Sequence, residues 1–379
     1  MALRHAVGMG LHRHYVGQSH HIDQRRRRIF WTLYMLDRSI ARTLGRPVGI
    51  SDRDIDVKLP ANIDIDIEDD EEIGAALRRD PGATPMSAAI HILRLSQIES
   101  KIYCTIYRVD QPPADQAGRK VLQLRRLLDE WKDDIAAMVP NTSEDEDTPN
   151  YYIKRSYHIL QYHRAILLLL LPQLPQLSPA SQDFQLCMSS AGAVGQLYKK
   201  LHDSQSHLSY SLIALHATFV AGLTLIYCFL ADTSVYNLKL SSDIRACSTI
   251  LYVISERWSS AREIRDAFER IIANTIEKSV VDLPLSPLHN DSMGQAHGTE
   301  ALNASLPDDQ VSDTTKVFWS ELATIGHSQK DMHQLPADSL DTSMSISQTE
   351  NIWNSLEPWF GEYEDLWLSN CTNTDLDFF

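Results

Sequence analysis

Gln24-Arg25-Arg26-Arg27-Arg28-Ile29-Phe30-Trp31-Thr32-Leu33-Tyr34-Met35-Leu36-Asp37-Arg38-Ser39-Ile40-Ala41-Arg42-Thr43-Leu44-Gly45-Arg46-Pro47 is the stretch that decides the fold class. Ile29, Phe30, Leu33, Tyr34, Leu36, Ile40, Ala41 and Leu44 recur at intervals of three and four, which gathers apolar side chains into one stripe of an α-helix. Gly45 can take the left-handed conformation that closes a helix, and Pro47 cannot continue the hydrogen-bond ladder. One long amphipathic helix is therefore expected, ending at Gly45. The same period recurs downstream, with helices expected over about 86–109, 116–138, 151–171, 181–202, 208–231, 241–257 and 259–280. Breakers separate them at Pro112-Pro113, Pro140-Asn141-Thr142-Ser143 and Pro172 through Pro179. No run alternates apolar and polar residues for long, so residues 1–281 are expected to form a large all-α, multi-helix domain.

Charge divides the chain. Its 379 residues carry 35 Lys and Arg against 50 Asp and Glu, a net −15, which argues against a general polyanion binder. Residues 1–60 hold eleven Lys and Arg against five acids, whereas residues 331–379 hold ten acids and neither Lys nor Arg. Two acidic runs, Asp64 to Glu72 and Glu144 to Asp147, read as solvated loops. Cys104, Cys187, Cys228, Cys247 and Cys371 lie far apart with no CxxC pair, the usage of a reducing compartment. No signal-peptide stretch follows Met1, and a soluble intracellular protein is expected.

After Val281 the composition turns to Ser, Asp, Thr, His, Gln and Pro. Residues 282–349 are expected to be a disordered linker, because so few large apolar side chains cannot offset the entropy of ordering. Residues 350–379 are acidic and aromatic, with Trp353, Trp359, Phe360, Tyr363, Trp367, Phe378 and Phe379. Leu208–Leu230 runs twenty-three residues without a charge, long enough to span a membrane. It contains His216 and several hydroxyl residues and lacks flanking basic asymmetry, so a buried core helix is expected and no membrane.

Catalytic motifs are absent: no G-x-S-x-G, no H-E-x-x-H, no P-loop and no G-x-G-x-x-G. Gly8/Gly10 and Gly192/Gly195 follow no strand and read as close-packing points between helices. His12, His14, His20 and His21 read as solvated or capping residues in a loop, with no neighbouring cysteine to make a metal site. Asp52, Asp54 and Asp56 would share one face of an extended segment, suited to turn and capping duty. Arg25, Arg26, Arg27 and Arg28 form the densest basic cluster, a solvated helix face or a nuclear import signal, with direct phosphate contact the remaining reading.

Several of these words stand in an order that resembles a known signature. They are Met9-Gly10-Leu11-His12-Arg13, then Arg26 through Arg38, then Leu44-Gly45-Arg46-Pro47, then Ile50 through Val57, closing on Leu59-Pro60. The set resembles the fungal-specific transcription factor domain, the regulatory middle region of fungal binuclear zinc cluster proteins. Ser255 through Trp258 and Arg265 through Arg270 look like the closing helix of the same region, so the resemblance runs over residues 1–281. It implies an all-helical domain with Arg27, Trp31, Asp37, Arg38, Gly45, Arg46, Pro47, Asp52, Asp54 and Asp56 as scaffold. In that reading Trp31, Tyr34 and Leu36 pack the helix, Asp37 and Arg38 form ion pairs, and Gly45-Arg46-Pro47 turns the chain into an extended Ile50–Pro60 segment.

The resemblance also implies a nuclear regulator of RNA polymerase II genes, not an enzyme, with DNA bound through a zinc cluster. The cluster's six cysteines at C-x₂-C-x₆-C spacing are not in this sequence, so zinc and DNA enter by family only and this chain itself is expected to hold no cofactor. The chain also opens inside what resembles a helix of the family's middle region, which points to a truncated gene model or a shortened regulator. The tail suits a coactivator groove through Trp359, Phe360, Leu366 and Trp367, because acidic charge keeps those aromatics exposed. Homo- or heterodimerisation and a small-molecule effector are further expectations. Two alternatives remain: an interaction module that dimerises with full-length relatives without binding DNA, and a helical small-molecule-binding protein. A buried, charge-lined pocket around Arg164 or His216 would favour the last.

Overall fold

The computed structural model describes residues 2–43, 45–79, 81–108, 114–139, 151–203, 211–259 and 261–281. Every regular element among them is helical, as the periodicity predicts. The α-helices are α1 (Ala2–Gly8), α2 (His20–Thr43), α3 (Asp70–Ala76), α4 (Pro85–Ile106), α5 (Ala114–Asp133), α6 (Ile135–Met138), α7 (Arg155–Leu170), α8 (Gln182–Asp203), α9 (Leu212–Ala231), α10 (Leu238–Arg257) and α11 (Ala261–Val281). The linker 282–349, the tail 350–379 and the acidic run at 144–147 lie outside the described residues.

Caps set the boundaries. Gly45 adopts φ +64° and the Arg46 N–H returns to the Ala41 carbonyl at 2.8 Å, which closes α2. Thr84 caps α4 in a reciprocal box with Ser87, with Pro85 in the first turn where its missing N–H costs nothing. Ser211 and Asn237 cap α9 and α10.

Part of the first acidic run is not a loop. Asp69 accepts from the Glu71 and Glu72 N–H groups, and Asp70, Glu71 and Glu72 form the first turn of α3. Carboxylates placed there favour helix because they face its partial positive end. Asp70 also accepts the His21 N–H at 2.9 Å, so α3 caps the start of α2 and draws His20 and His21 into that helix rather than into a loop.

Two apolar cores result. The larger joins α4 to α11 around α9, whose residues are buried almost throughout, with α8, α10 and α11 packed against it. α9 is long and apolar enough to cross a membrane, and 94% of its most apolar window is buried inside the protein, the environment expected of a core helix. Gly192 and Gly195 let α8 approach α10. A Cβ at Gly192 would collide with the Asp243 carboxylate, and one at Gly195 would stand 2.6 Å from Cys247 Sγ. A Cβ at Gly222 of α9 would strike the Phe268 ring of α11. Gly10, by contrast, is a turn residue at φ +69° rather than a helix contact, and nothing stands near Gly8. The smaller core holds Leu3, Ala6, Leu11, Phe30, Trp31, Tyr34, Ile50, Val57 and Leu93, so α4 belongs to both.

Candidate functional site

The motif residues converge on Arg38. Its side chain is 3% exposed and is held from every side. Nη1 donates to Asp37 Oδ2 at 2.9 Å, Nη2 to the Ile50 carbonyl at 2.7 Å and to Asp52 Oδ1 at 2.9 Å, and Nε to Ser100 Oγ at 3.3 Å. The guanidinium also lies over the Tyr34 ring, 4.0 Å from its centroid. Tyr34 donates to Asp52 Oδ1 at 2.8 Å, and burial raises its pKa. Asp37 Oδ2 accepts the Gly49 N–H at 3.0 Å, and a Cβ on Gly49 would stand 2.7 Å from Asp37 Oδ1. A planar donor with five N–H groups is the side chain able to satisfy this many acceptors at once.

The remaining words brace the same unit. Trp31 Nε1 donates to the Lys58 carbonyl at 2.9 Å. Arg27 pairs with Asp23 at 2.7 Å and reaches the Leu59 carbonyl at 3.3 Å. Asp56 accepts the His14 N–H at 2.6 Å and pairs with Arg13 at 3.0 Å. The Arg46 carbonyl accepts from Tyr103 at 3.1 Å, tying the turn to α4. Arg46 and Pro47 themselves are exposed.

Several expectations need correction. Asp52, Asp54 and Asp56 do not share a face, because Ser51 accepts the Arg53 N–H and folds Asp52–Asp54 into a 3₁₀ turn. Asp52 turns to Arg38, Asp56 to Arg13, and Asp54 is exposed. Leu36 is 42% exposed and does not pack the helix as Trp31 and Tyr34 do. The four arginines are not a free basic face either. Arg26 donates to the Gly10 carbonyl at 3.0 Å, Arg27 is held as above, Arg28 reaches the Asp64 carbonyl at 3.4 Å, and Arg25 is the exposed one. Among the described residues no three His, Cys, Asp or Glu side chains group to hold a metal ion. Cys187 and Cys247 are buried, with thiols pushed up to about 12 by desolvation. The tail residues Trp359, Phe360, Leu366 and Trp367 lie outside the described residues.

A second polar centre lies one turn beyond Arg38, where α2 meets the bundle. Arg42 forms an ion pair with Glu99 of α4, both largely buried. Arg164 of α7 donates to Gln161 Oε1 at 2.8 Å. Both guanidiniums act on His216 of α9, whose pKa falls to about 3 through burial first and these charges second. They act in the same way on Tyr198 of α8 and on Tyr157 of α7, where burial raises the phenol, to about 12 for Tyr157. A cleft lined by Arg38, Arg42, Val48, Glu99, Ser100 and Tyr103 opens over the Arg42–Glu99 pair. The sequence marks Arg164 and His216 as places to look; nothing local marks Arg42 and Glu99, fifty-seven residues apart.

Residues 1–133 match the model of the fungal specific transcription factor domain. The Saccharomyces cerevisiae transcriptional regulatory protein YLR278C is 29% identical over 275 residues, covering 66% of this chain and 19% of its own length. Protein STB5 of the same yeast is 26% identical, covering 75% of this chain and 38% of its own. The positive regulator of purine utilization of Emericella nidulans is 23% identical, covering 72% and 30%. This chain therefore spans about a fifth to two fifths of the length of these relatives. No solved structure matches it.

Proposed function

We propose that this chain is the helical regulatory part of a nuclear transcription regulator acting on RNA polymerase II genes. The observation that carries the reading is the Arg38 centre. It gives a physical reason for several separated words of the motif to occur together: Tyr34, Asp37, Ile50 and Asp52 each supply a ring or an acceptor to a single buried guanidinium, while Arg13, Arg27, Trp31 and Asp56 brace the segments around it. The family match over residues 1–133 and the regulators among the relatives support it. DNA binding through zinc would need six cysteines at cluster spacing, which this sequence does not carry.

In this reading the helical body responds to an effector or partner and residues 350–379 recruit a coactivator through Trp359, Phe360, Leu366 and Trp367. Fused to a foreign DNA-binding domain, the chain should activate a reporter. Deleting 350–379 should abolish activation without changing the helical circular dichroism of 1–281. Trp359→Ala, Phe360→Ala and Trp367→Ala together should do most of the same damage, since binding energy concentrates in a few aromatics. Full activation in the triple variant would remove aromatic docking from the proposal.

A further inference from the structure

We propose that the outer face of α2 is a dimer surface that takes the same face of a second copy of this chain, antiparallel, across a twofold axis. Three observations carry it. The first is a seam. Ile22, Arg26, Ile29, Leu33, Leu36 and Ile40 follow one another at alternating intervals of four and three residues. That is the spacing by which two helices pack side by side, and all members but Arg26 are aliphatic. The seam lies on the side of α2 away from Phe30, Trp31, Tyr34, Arg38 and Ala41, which are buried in this chain. Ile22, Ile29 and Leu36 are 42% to 50% exposed, and Leu33 and Ile40 are half-buried. A surface helix needs one apolar stripe for its own core; α2 carries a second on the opposite side.

The second observation is charge, and it selects both the occupant and its direction. Arg26 donates to the Gly10 carbonyl and lies over the Tyr15 ring, 4.6 Å from its centroid, so it is fixed in place. A parallel copy would set Arg26 against Arg26, which repels. An antiparallel copy, turned about an axis level with Trp31, sets Ile22 against Ile40 and Ile29 against Leu33. Arg26 then meets Leu36 along its aliphatic stem, and the face complements itself as a twofold contact requires. The acidic tail of this chain is a poorer occupant. Arg26, Arg27 and Arg28 are already held by backbone carbonyls, and of the four successive arginines Arg25 alone is exposed. That leaves little positive charge for the ten acids of residues 331–379.

The third observation is size. Ile22 to Ile40 spans about 27 Å of helix, and two such faces bury on the order of 1,000 Å² in total, the lower edge of specific interfaces. A reversible, micromolar dimer follows. It does not rest on the regulatory reading above.

The test is analytical ultracentrifugation of the whole chain from about 1 to about 200 µM, with a monomer–dimer equilibrium expected. Ile29→Glu should raise Kd about tenfold or more with helical circular dichroism unchanged, because association would bury an unpaired carboxylate at the centre of the seam. Ile22→Ser, a milder change near the end of the seam, should raise Kd about threefold and keeps the test open should Ile29→Glu fail to fold. Leu238→Ser, on an exposed side chain of α10, should leave the equilibrium intact. With Cys104→Ser and Cys371→Ser as background, Ile29→Cys should link to its copy through a short bis-maleimide. Ile22→Cys, about 27 Å from its copy in the antiparallel arrangement, should not. A monomer over the whole range, an unchanged Kd in both Ile29→Glu and Ile22→Ser, or linkage of Ile22→Cys to itself overturns the proposal. Dimerisation seen only after deletion of 350–379 would assign the face to the tail in place of a second copy and overturns it equally.

Discussion

The two cores of this molecule are held by different physics. Around Arg38 a polypeptide of modest apolar content is organised by directed contacts: a guanidinium over a tyrosine ring, two carboxylates and a backbone carbonyl within 3 Å. Around α9, order comes from apolar area and from close approach at Gly192, Gly195 and Gly222. Directed contacts need specific residues at specific places, whereas area needs only apolar residues at the right period. This explains why the family motif clusters in the smaller core, while the larger one reads as helices of ordinary composition.

The comparison is broken most severely in the bundle. Phe268 is fully buried, meets Phe219 edge to face with centroids 6.2 Å apart, and fills the space that Gly222 leaves open. Phe268→Ala should cost about 3–5 kcal/mol, since α9 and α11 are too tightly packed to collapse onto the void. Urea unfolding followed by circular dichroism measures it. A loss under about 1 kcal/mol would mean that the bundle is not held by close packing here.

The smaller core should yield less and in a different manner. Arg38→Met keeps the stem's volume but takes the guanidinium donors from the Ile50 carbonyl, Asp37 and Asp52, leaving the two carboxylates with the Gly49 N–H and the Tyr34 O–H. Asp52 is 38% exposed and can turn to water, so the loss is expected at about 2–3 kcal/mol, below that of a fully buried pair. Arg38→Lys should recover little of it, because one ammonium cannot meet acceptors spread around a planar fork. Recovery to wild-type stability by lysine would show that charge alone, and not geometry, holds the motif together.

What the sequence reveals follows from the same contrast. The long helices were legible because three-and-four periodicity is local, and the end of α2 was legible because Gly45 and Pro47 are local signals. α3 was not, since an acidic run reads alike as a solvated loop or as the first turn of a helix until Asp70 is seen capping α2. Trp31, Asp37, Arg38 and Asp52 were legible as scaffold through their resemblance to a family. The inward turn of Asp52 was not, because it depends on a 3₁₀ turn set by Ser51. Long-range pairs such as Arg42 with Glu99 carry no local signature at all.

The smallest expected effect sharpens the contrast, because it concerns polar groups inside the bundle that carry no charge. His91 of α4 stacks on Trp131 of α5 at 4.2 Å and beside His158 of α7 at 5.7 Å, and neither of its ring nitrogens has a hydrogen-bond partner. Burial, with the charges of His158 and Arg94, pushes its pKa down to about 3, against 6.5 for a solvated imidazole. Between those values the unfolded chain binds the proton and the folded chain does not. Stability is therefore complete above pH 6.5 and is lost as the pH falls toward 3, by at most about 1.4 kcal/mol per pH unit for this one group. His158, His163 and His216 are shifted in the same direction by burial, so wild-type stability should fall with a slope to which several rings contribute. His91→Phe keeps a flat ring on Trp131 and removes one titration. It should match the wild type within about 1 kcal/mol near pH 7.5, then lose stability less steeply below pH 6.5 when ΔG is measured by denaturant at half-unit intervals. Parallel curves down to pH 4.5 would place His91 in contact with water and remove it from the bundle's neutral interior.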